Sequence, residues 1–337
     1  MVYTFGLVKH ANIRYRDSLI RLGRYELTAM LHALSLDCDV KAESAGGADF
    51  LTFRCRDLSE EELSFLSGHS TAVFFAEKTD SGLLRPVDAG KSGYLGEDLP
   101  EILKYKGKTS TSFLRLMINV ARSVSGFSLS SDPLTVIDPV CGKGTACFCA
   151  VQSGMNSVGL DLDRKAVHEA CDYFSRYLKI NMLKHTCRKS SETAGNNSLP
   201  VVDFVFADTR EHYILNRTRF LRLATGDTEM IAYLCRRFPG HLLIADLPYG
   251  VQHAPQFGAK PESFSSLFSR ALPAWKKALL PGGVAAVSYN TLTFPTIQVS
   301  EIARSAGWIP CKIDFCTHFC HEVEQAVVRD VIFLINR

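Results

Sequence analysis

The chain has 337 residues, with 38 Lys and Arg against 35 Asp and Glu, for a formal charge of +3 at pH 7. Its hydrophobic fraction of 46% and charged fraction of 22% exclude a chain that is disordered throughout, and its length points to about two domains. So small a positive excess also excludes a protein that coats nucleic acid over its whole surface, and it confines any such contact to local patches.

The 11 cysteines follow no regular framework in a chain long enough to fold without staples. Free thiols in a reducing cytoplasm are the expectation. The opening residues show no long apolar run behind a basic stretch, and apolar runs elsewhere are strand-length, so neither a secretory leader nor a membrane span is expected.

From Val2 to about Asp88 the pattern reads strand, helix, two strands, helix, strand. The strands are Val2–Val8, Cys38–Glu43, Phe50–Cys55 and Thr71–Glu77. Helices are expected around Tyr25–Leu34 and Ser59–Ser67, the second opened by a Ser-x-x-Glu capping pattern at Ser59 and Glu62. This order predicts a small ferredoxin-like α+β domain over residues 1–88. The Gly-rich, polar stretch 89–108 reads as a linker.

Over residues 109–337 helix and strand alternate. Helix Ser112–Val124 leads to strand Leu134–Asp138, helix Thr145–Ser153, strand Ser157–Leu162 and helix Ala166–Lys179. Residues 184–216 form an irregular insertion in this reading, its first part, 185–200, polar, turn-rich and mobile. Strand Phe220–Thr225, helix Glu229–Phe238, strand His241–Asp246 and helix Ser263–Ala278 follow. Strand Val284–Tyr289, helix Thr296–Ser305 and two late strands, Ile309–His318 and Ala326–Ile335, complete the pattern. The alternation predicts an α/β, Rossmann-like domain: a mostly parallel sheet with helices on both faces and a closing antiparallel hairpin.

The segment Thr135–Phe148 carries the first chemical signal. An apolar strand ends in Asp138, a turn containing Cys141, Gly142, Lys143 and Gly144 follows, and Thr145 opens a helix. Glycines at such a turn let backbone approach a ligand, and the helix N-terminus offers free N–H groups. A second acid, Asp161, ends the next strand about 20 residues on, the interval at which a carboxylate accepts from ribose hydroxyls. A structural strand-turn-helix with Asp138 as a turn cap is the plain alternative, and the pair of acids at consecutive strand ends weighs against it. No phosphate-binding P-loop pattern occurs, and Cys147 stands where a dinucleotide fingerprint needs glycine.

The second signal is the strand His241–Ala245 running into Asp246-Leu247-Pro248-Tyr249-Gly250. Asp246 and the Leu247 carbonyl can each accept from an exocyclic amine, Pro248 stiffens the turn, and Tyr249 can stack on a planar ring. An aromatic amine has its lone pair delocalised, and two acceptors draw it toward a nucleophilic geometry. In-line proximity to a methyl donor then suffices. A stiffened β-turn is the alternative here.

Asp138-Pro139-Val140-Cys141-Gly142-Lys143-Gly144-Thr145 resembles the cofactor motif of class I S-adenosylmethionine-dependent methyltransferases, in the version found in RNA guanine-N2 methylases. Asp246-Leu247-Pro248-Tyr249 resembles the amino-methyltransferase tetrapeptide, Asp/Asn-Pro-Pro-Tyr/Phe. His321-Glu322-Val323-Glu324-Gln325-Ala326 with Arg329 is similar to the tRNA guanine-N2 methyltransferase family of the THUMP-associated group. The likeness spans about residues 108–337. It implies S-adenosylmethionine as cofactor, with Asp138, Pro139, Cys141, Gly142, Gly144 and Thr145 around it and Asp161 at the ribose. It also implies an acid after the third strand at the adenine amine, Asp227 being the first choice and Asp208 the rival. The implied substrate is RNA, and tRNA in particular. Two departures stand out: Leu247 replaces a proline, and the N-terminal stretch has no room for a THUMP domain, so a protein partner that captures RNA is a further expectation.

Basic clusters at Arg14/Arg16/Arg21/Arg24, Lys184/His185/Arg188/Lys189 and Arg217/Arg219/Arg222 suit phosphates or plain solvated charge equally. A paired target base must also be flipped out of its stack, for which a basic groove beside Tyr249 is expected. Cys316, Cys320 and His321 hint at metal but lack a second ligand pair, and no metal is expected. Lys108-Thr109-Ser110-Thr111 reads either as a closure over the cofactor or as a helix cap. The competing functions are DNA adenine or cytosine amino-methylation, protein glutamine methylation, and a non-catalytic RNA-binding scaffold.

Overall fold

Two sheets organise the chain. The computed structural model describes every residue except 10–12, 89–92, 104, 106–107, 248–255, 258–259, 262, 313–318 and 325–326. The first unit runs β1 (Val2–Leu7), α1 (Ile13–Ala33), β2 (Lys41–Ala45), β3 (Ala48–Arg54), α2 (Glu60–Ser67), β4 (Ala72–Lys78) and β5 (Leu84–Pro86). Its strands lie in the antiparallel order β2-β3-β1-β4-β5, the ferredoxin-like arrangement with an added edge strand. Phe5 stacks on Phe75 at 4.3 Å between ring centroids, in a core with Tyr3 and Phe53. The capping box forms as the sequence implies: Glu62 N–H donates to the Ser59 hydroxyl at 3.3 Å, and Ser59 N–H to the Glu62 carboxylate at 2.8 Å.

The second unit comprises α3 (Leu99–Ile102), α4 (Thr111–Val124), β6 (Thr135–Asp138), α5 (Thr145–Gln152), β7 (Asn156–Asp161), α6 (Arg164–Ile180), β8 (His185–Ala194) and β9 (Asn197–Phe206). It continues with α7 (Arg210–Ile214), β10 (Arg219–Thr225), a 3-10 turn at Thr228–Met230, α8 (Ile231–Leu234), β11 (Gly240–Asp246), β12 (Gln256–Phe257) and β13 (Lys260–Pro261). It closes with α9 (Phe264–Ala278), β14 (Leu279–Asn290), α10 (Thr296–Ser305), β15 (Ile309–Pro310), β16 (His321–Glu324) and β17 (Val327–Ile335). The large sheet has the order β15-β17-β14-β11-β6-β7-β10-β9-β8, with β16 also paired to β17. Its middle, β14-β11-β6-β7-β10, is parallel. This is a Rossmann-like arrangement, and the strand order reverses between β6 and β11. Strands buried on both faces, such as Val136, Ile137, Leu243 and Ile244, pack against helices on either side.

The two units share α1. Leu27, Met30 and Leu31 pack on the small sheet, while Leu22 and Ala29 face the cluster that contains α4. Between them lies Glu26, fully buried, which accepts from Ser70 N–H at 2.8 Å and from Asn119 Nδ2 at 2.6 Å. Serving two partners explains why α1 begins at Ile13 rather than near Tyr25: neither buried stripe alone gives a clear periodicity.

Other differences also have local causes. The stretch 184–216, read as irregular, is mostly a regular antiparallel hairpin of β8 and β9 with an unbroken register from His185↔Phe206 to Ala194↔Asn197. Its two-residue turn starts at Gly195, φ +61°, which suits a hairpin. Within 89–108, Leu95 and Leu99 are buried in the cluster around α5 and α6. The helix expected over Glu229–Phe238 is shorter, a 3-10 turn and one α turn. Of the late strand Ile309–His318 only Ile309–Pro310 is strand among the described residues, and β17 pairs with β16 as well as with β15 and β14. Among the described residues no helix is long and apolar enough to cross a membrane.

Candidate active site at the carboxyl edge of the parallel strands

Because β6, β7, β10 and β11 are parallel, their last residues line one edge of the sheet. Asp138 ends β6, Asp161 ends β7, Asp227 follows β10 and Asp246 ends β11. The topology therefore sets the candidate carboxylates side by side at the point where strand order reverses, where open α/β sheets bind ligands.

The loop after β6 is folded back on β7. Cys141 N–H donates to the Leu160 carbonyl at 3.0 Å, and Gly142 N–H to a carboxylate oxygen of Asp161 at 2.7 Å. The other Asp161 oxygen accepts from Asp163 N–H at 2.8 Å. Gly142 at φ +51° and Gly144 at φ +82° hold left-handed backbone that disfavours a side chain. A Cβ on Gly142 would meet no atom within 4 Å, whereas one on Gly144 would stand 3.2 Å from Phe148. The open side of the loop therefore faces outward at Gly142, and Gly144 packs inward as the first cap of α5. Pro139, Cys141 and Thr145 are buried beneath it.

Asp138 is 5% exposed and accepts from Val140 N–H at 3.1 Å. Burial pushes its carboxyl well above the usual carboxylate range, and burial also raises Asp161. Cys141 and Cys147 are neighbouring buried free thiols, and the hydrogen bond between them raises Cys141 and lowers Cys147.

Asp246 is held from two sides. The Thr109 hydroxyl donates to one carboxylate oxygen and the Ser288 hydroxyl to the other. Ser288 lies directly opposite Asp246 in the β11–β14 register and is fully buried. Thr109 arrives from the stretch before α4, and just upstream the Tyr105 hydroxyl meets the Thr145 hydroxyl at 2.8 Å. One short segment thus touches both the start of α5 and the carboxylate at the end of β11. Leu247 is fully buried, and Pro248 and Tyr249 lie outside the described residues.

Asp227 accepts from Glu229 N–H at 3.0 Å, and both its oxygens are gripped by Arg270 at 2.6 and 3.1 Å. Asp208 stands elsewhere. β9 runs antiparallel to β10 with Phe206 opposite Arg219, so Asp208 follows at the amino end of β10. There it pairs with His212 Nδ1 at 2.6 Å.

His321, in β16, is 5% exposed and its Nδ1 lies 3.0 Å from the Phe319 carbonyl. Burial pushes its pKa down to about 4; the Phe319 carbonyl opposes this most and the Asp246 charge least, while the Arg329 and Arg21 charges reinforce it. The His321 ring lies 5.0 Å from that of Phe113 at a tilt of 56°, and the Arg329 guanidinium stands 4.6 Å over the Phe113 ring. From α1, Arg21 donates to the Cys320 carbonyl at 2.5 Å. Cys316 lies outside the described residues, and among those described no group of three His, Cys, Asp or Glu could hold a metal ion. Ser288, Tyr105 and Arg270 were not foreseen. A serine in the otherwise apolar run Val284–Tyr289 was the signal for the first.

No family model and no curated protein matches the chain. Solved structures with a similar chain path include TrmN from Thermus thermophilus, at 14% identity and TM-score 0.41, covering 89% of this chain. This chain spans 60% of the length of that protein. The rRNA methyltransferase aviRa from Streptomyces viridochromogenes is 11% identical with TM-score 0.42, covering 69% of this chain and 88% of that one. A putative RNA methyltransferase from Pyrococcus horikoshii is 11% identical with TM-score 0.40, covering 71% and 92%. Likenesses at this level concern the path of the chain and not what it acts on.

Proposed function

We propose that this chain transfers a methyl group from S-adenosylmethionine to an exocyclic amino nitrogen of an RNA base, guanine N2 in tRNA. One observation carries the reading: an open glycine loop tied to Asp161 lies at the same sheet edge as Asp246, across the reversal of strand order.

The residues present fit that cofactor. The loop leaves open space at Gly142, and the buried Asp138 carboxylate is disposed to favour a cationic neighbour. In this reading Asp138, Pro139, Cys141, Gly142, Gly144 and Thr145 hold the methionine part, Asp161 the ribose and Asp227 the adenine amine. S-adenosylmethionine supplies an electrophilic methyl group on a positively charged sulfur. Asp246, held by Thr109 and Ser288, accepts a hydrogen bond from the target amine and is placed to take the proton that the amine loses on methylation, the Leu247 carbonyl accepts a hydrogen bond from its second N–H, and Tyr249 stacks on the base. A cytoplasmic setting and a protein partner that presents the RNA belong to the same proposal.

The test is incubation with labelled S-adenosylmethionine and, separately, unmodified total tRNA, DNA and protein extract. Label in tRNA supports the proposal. Label in DNA or protein keeps the chemistry and replaces the substrate. Absence of both label and cofactor binding favours a scaffold.

A further inference from the structure

β8 ends the large sheet, and nothing among the described residues pairs with its outer edge. It is ten residues long, free of proline, and its register with β9 has no shift. Long straight edges are normally blunted, since their unpaired N–H and C=O groups template association. Lys and Arg are one such blunting device, and β8 carries Arg188 and Lys189, both exposed. The same strand also carries Glu192, and its spacing decides the argument.

We propose that β8 pairs antiparallel with β8 of a second copy about a two-fold axis at Ser190, joining two large sheets into one. With that centre Arg188 of each chain lies opposite Glu192 of the other, and Lys189 lies opposite Ser191. Two opposite-charge pairs form and no like charges meet. Centring on Lys189 or Arg188 sets that residue against its own copy, and centring on Ser191 leaves no charge pair. An axis between Ser190 and Ser191 would also set Lys189 against Glu192, but it pairs odd-numbered with even-numbered residues, whose backbone groups face opposite ways; one register therefore remains.

The hydrogen-bond parity agrees. The two-residue turn after Ala194 makes Ala194 and Asn197 the closing bonded pair, so even-numbered residues of β8 bond β9 and odd-numbered ones point N–H and C=O outward. In the proposed register Lys189 and Ser191 are the bonded pair across the new seam. Arg188 and Glu192 are a non-bonded pair, in which side chains stand closer. Glu192 has a 3.3 Å bond from Arg222 within its own chain and is still 32% exposed. Beside the start of β8 stand Ile180 and Met182, 77% and 89% exposed, the most exposed of the large apolar side chains described. Apolar side chains left this exposed a few residues before an open edge suit an interaction surface, and a self-complementary strand gives the closed two-fold contact that homodimers use.

Sedimentation equilibrium of the full chain is expected to show a dimer. Lys189→Pro removes only an outward-facing N–H, so the ladder to β9 survives while the seam does not, and this variant is expected to be monomeric with an unchanged circular dichroism spectrum. Should that variant unfold, Ser190→Cys decides. Across the axis the two residues at 190 lie about 4.5 Å apart at Cα, within disulfide reach. With oxidised glutathione, two thiols form one interchain disulfide and release two glutathione thiols. The wild type, whose Cys187 lies opposite Thr193, is expected to give no such product. A wild type that stays monomeric, a folded Lys189→Pro variant that stays dimeric, or a Ser190→Cys variant that fails to cross-link would overturn the proposal.

Discussion

Gly142 N–H donates to the Asp161 carboxylate at 2.7 Å, so the loop after β6 is latched to the end of β7 by the acid proposed for the ribose. The latch uses one oxygen and Asp163 N–H the other, which sets the direction of the remaining lone pairs. A ligand at this edge meets a carboxylate whose position is fixed before binding, at little cost in side-chain ordering.

Gly142→Ala tests the loop. Its left-handed backbone costs an alanine about 1–2 kcal/mol, yet the new Cβ meets no protein atom within 4 Å. Stability in urea is expected to fall by that modest amount, while affinity for S-adenosylmethionine falls about tenfold or more, ~1.4 kcal/mol. Calorimetric titration that gives an unchanged dissociation constant would remove the loop from the cofactor site.

Ser288→Ala deletes one of the two hydroxyls that hold Asp246. A hydrogen bond to a charged group contributes about 1.5–3 kcal/mol, and alanine fills the buried site without strain. Turnover is expected to drop about tenfold, roughly 1.4 kcal/mol, with cofactor affinity unchanged. Equal turnover in variant and wild type would show that the orientation of Asp246 is set elsewhere.

Cofactor binding is expected to depend on pH. Burial raises Asp138 and Asp161 in the free protein, and a cation beside Asp138 favours its ionised form. The bound state therefore carries fewer protons, and affinity rises with pH until the free-state carboxyls are ionised. Calorimetric enthalpies should vary with the ionisation enthalpy of the buffer, and Asp138→Asn should reduce that dependence. Enthalpies independent of buffer would contradict this coupling.

Stability should carry a second pH signature. Burial lowers His321 from 6.5 to about 4, so between those values the unfolded chain binds more protons than the folded one. Its contribution is full above pH 6.5 and is lost as the pH falls toward 4. Urea midpoints of wild type and His321→Gln should diverge over this window, the variant losing less as the pH drops. Parallel curves would place the ring in water.

The glycine turn after β6 and the strand end at Asp246 were legible as features because glycine, proline and acid interrupt apolar runs there, and punctuation survives in sequence. Ser288 was not, since its meaning depends on the β11–β14 register. The β8–β9 hairpin was missed for a related reason. An edge strand such as His185–Ala194 is mostly exposed, so its polar residues look like loop, and the Asp203–Arg222–Glu192 ion pairs that tie it to β10 join residues far apart in the chain. α1 was foreshortened because its two apolar stripes overlap.

The most direct measurement sets wild type beside Asp246→Ala, with labelled S-adenosylmethionine and unmodified tRNA, followed by digestion to nucleosides. The wild type should yield N2-methylguanosine. The variant should bind the cofactor equally and yield less by at least about a hundredfold, ~2.7 kcal/mol. Equal yields from the two proteins, or a wild type that binds the cofactor and methylates no amino nitrogen, would contradict the account.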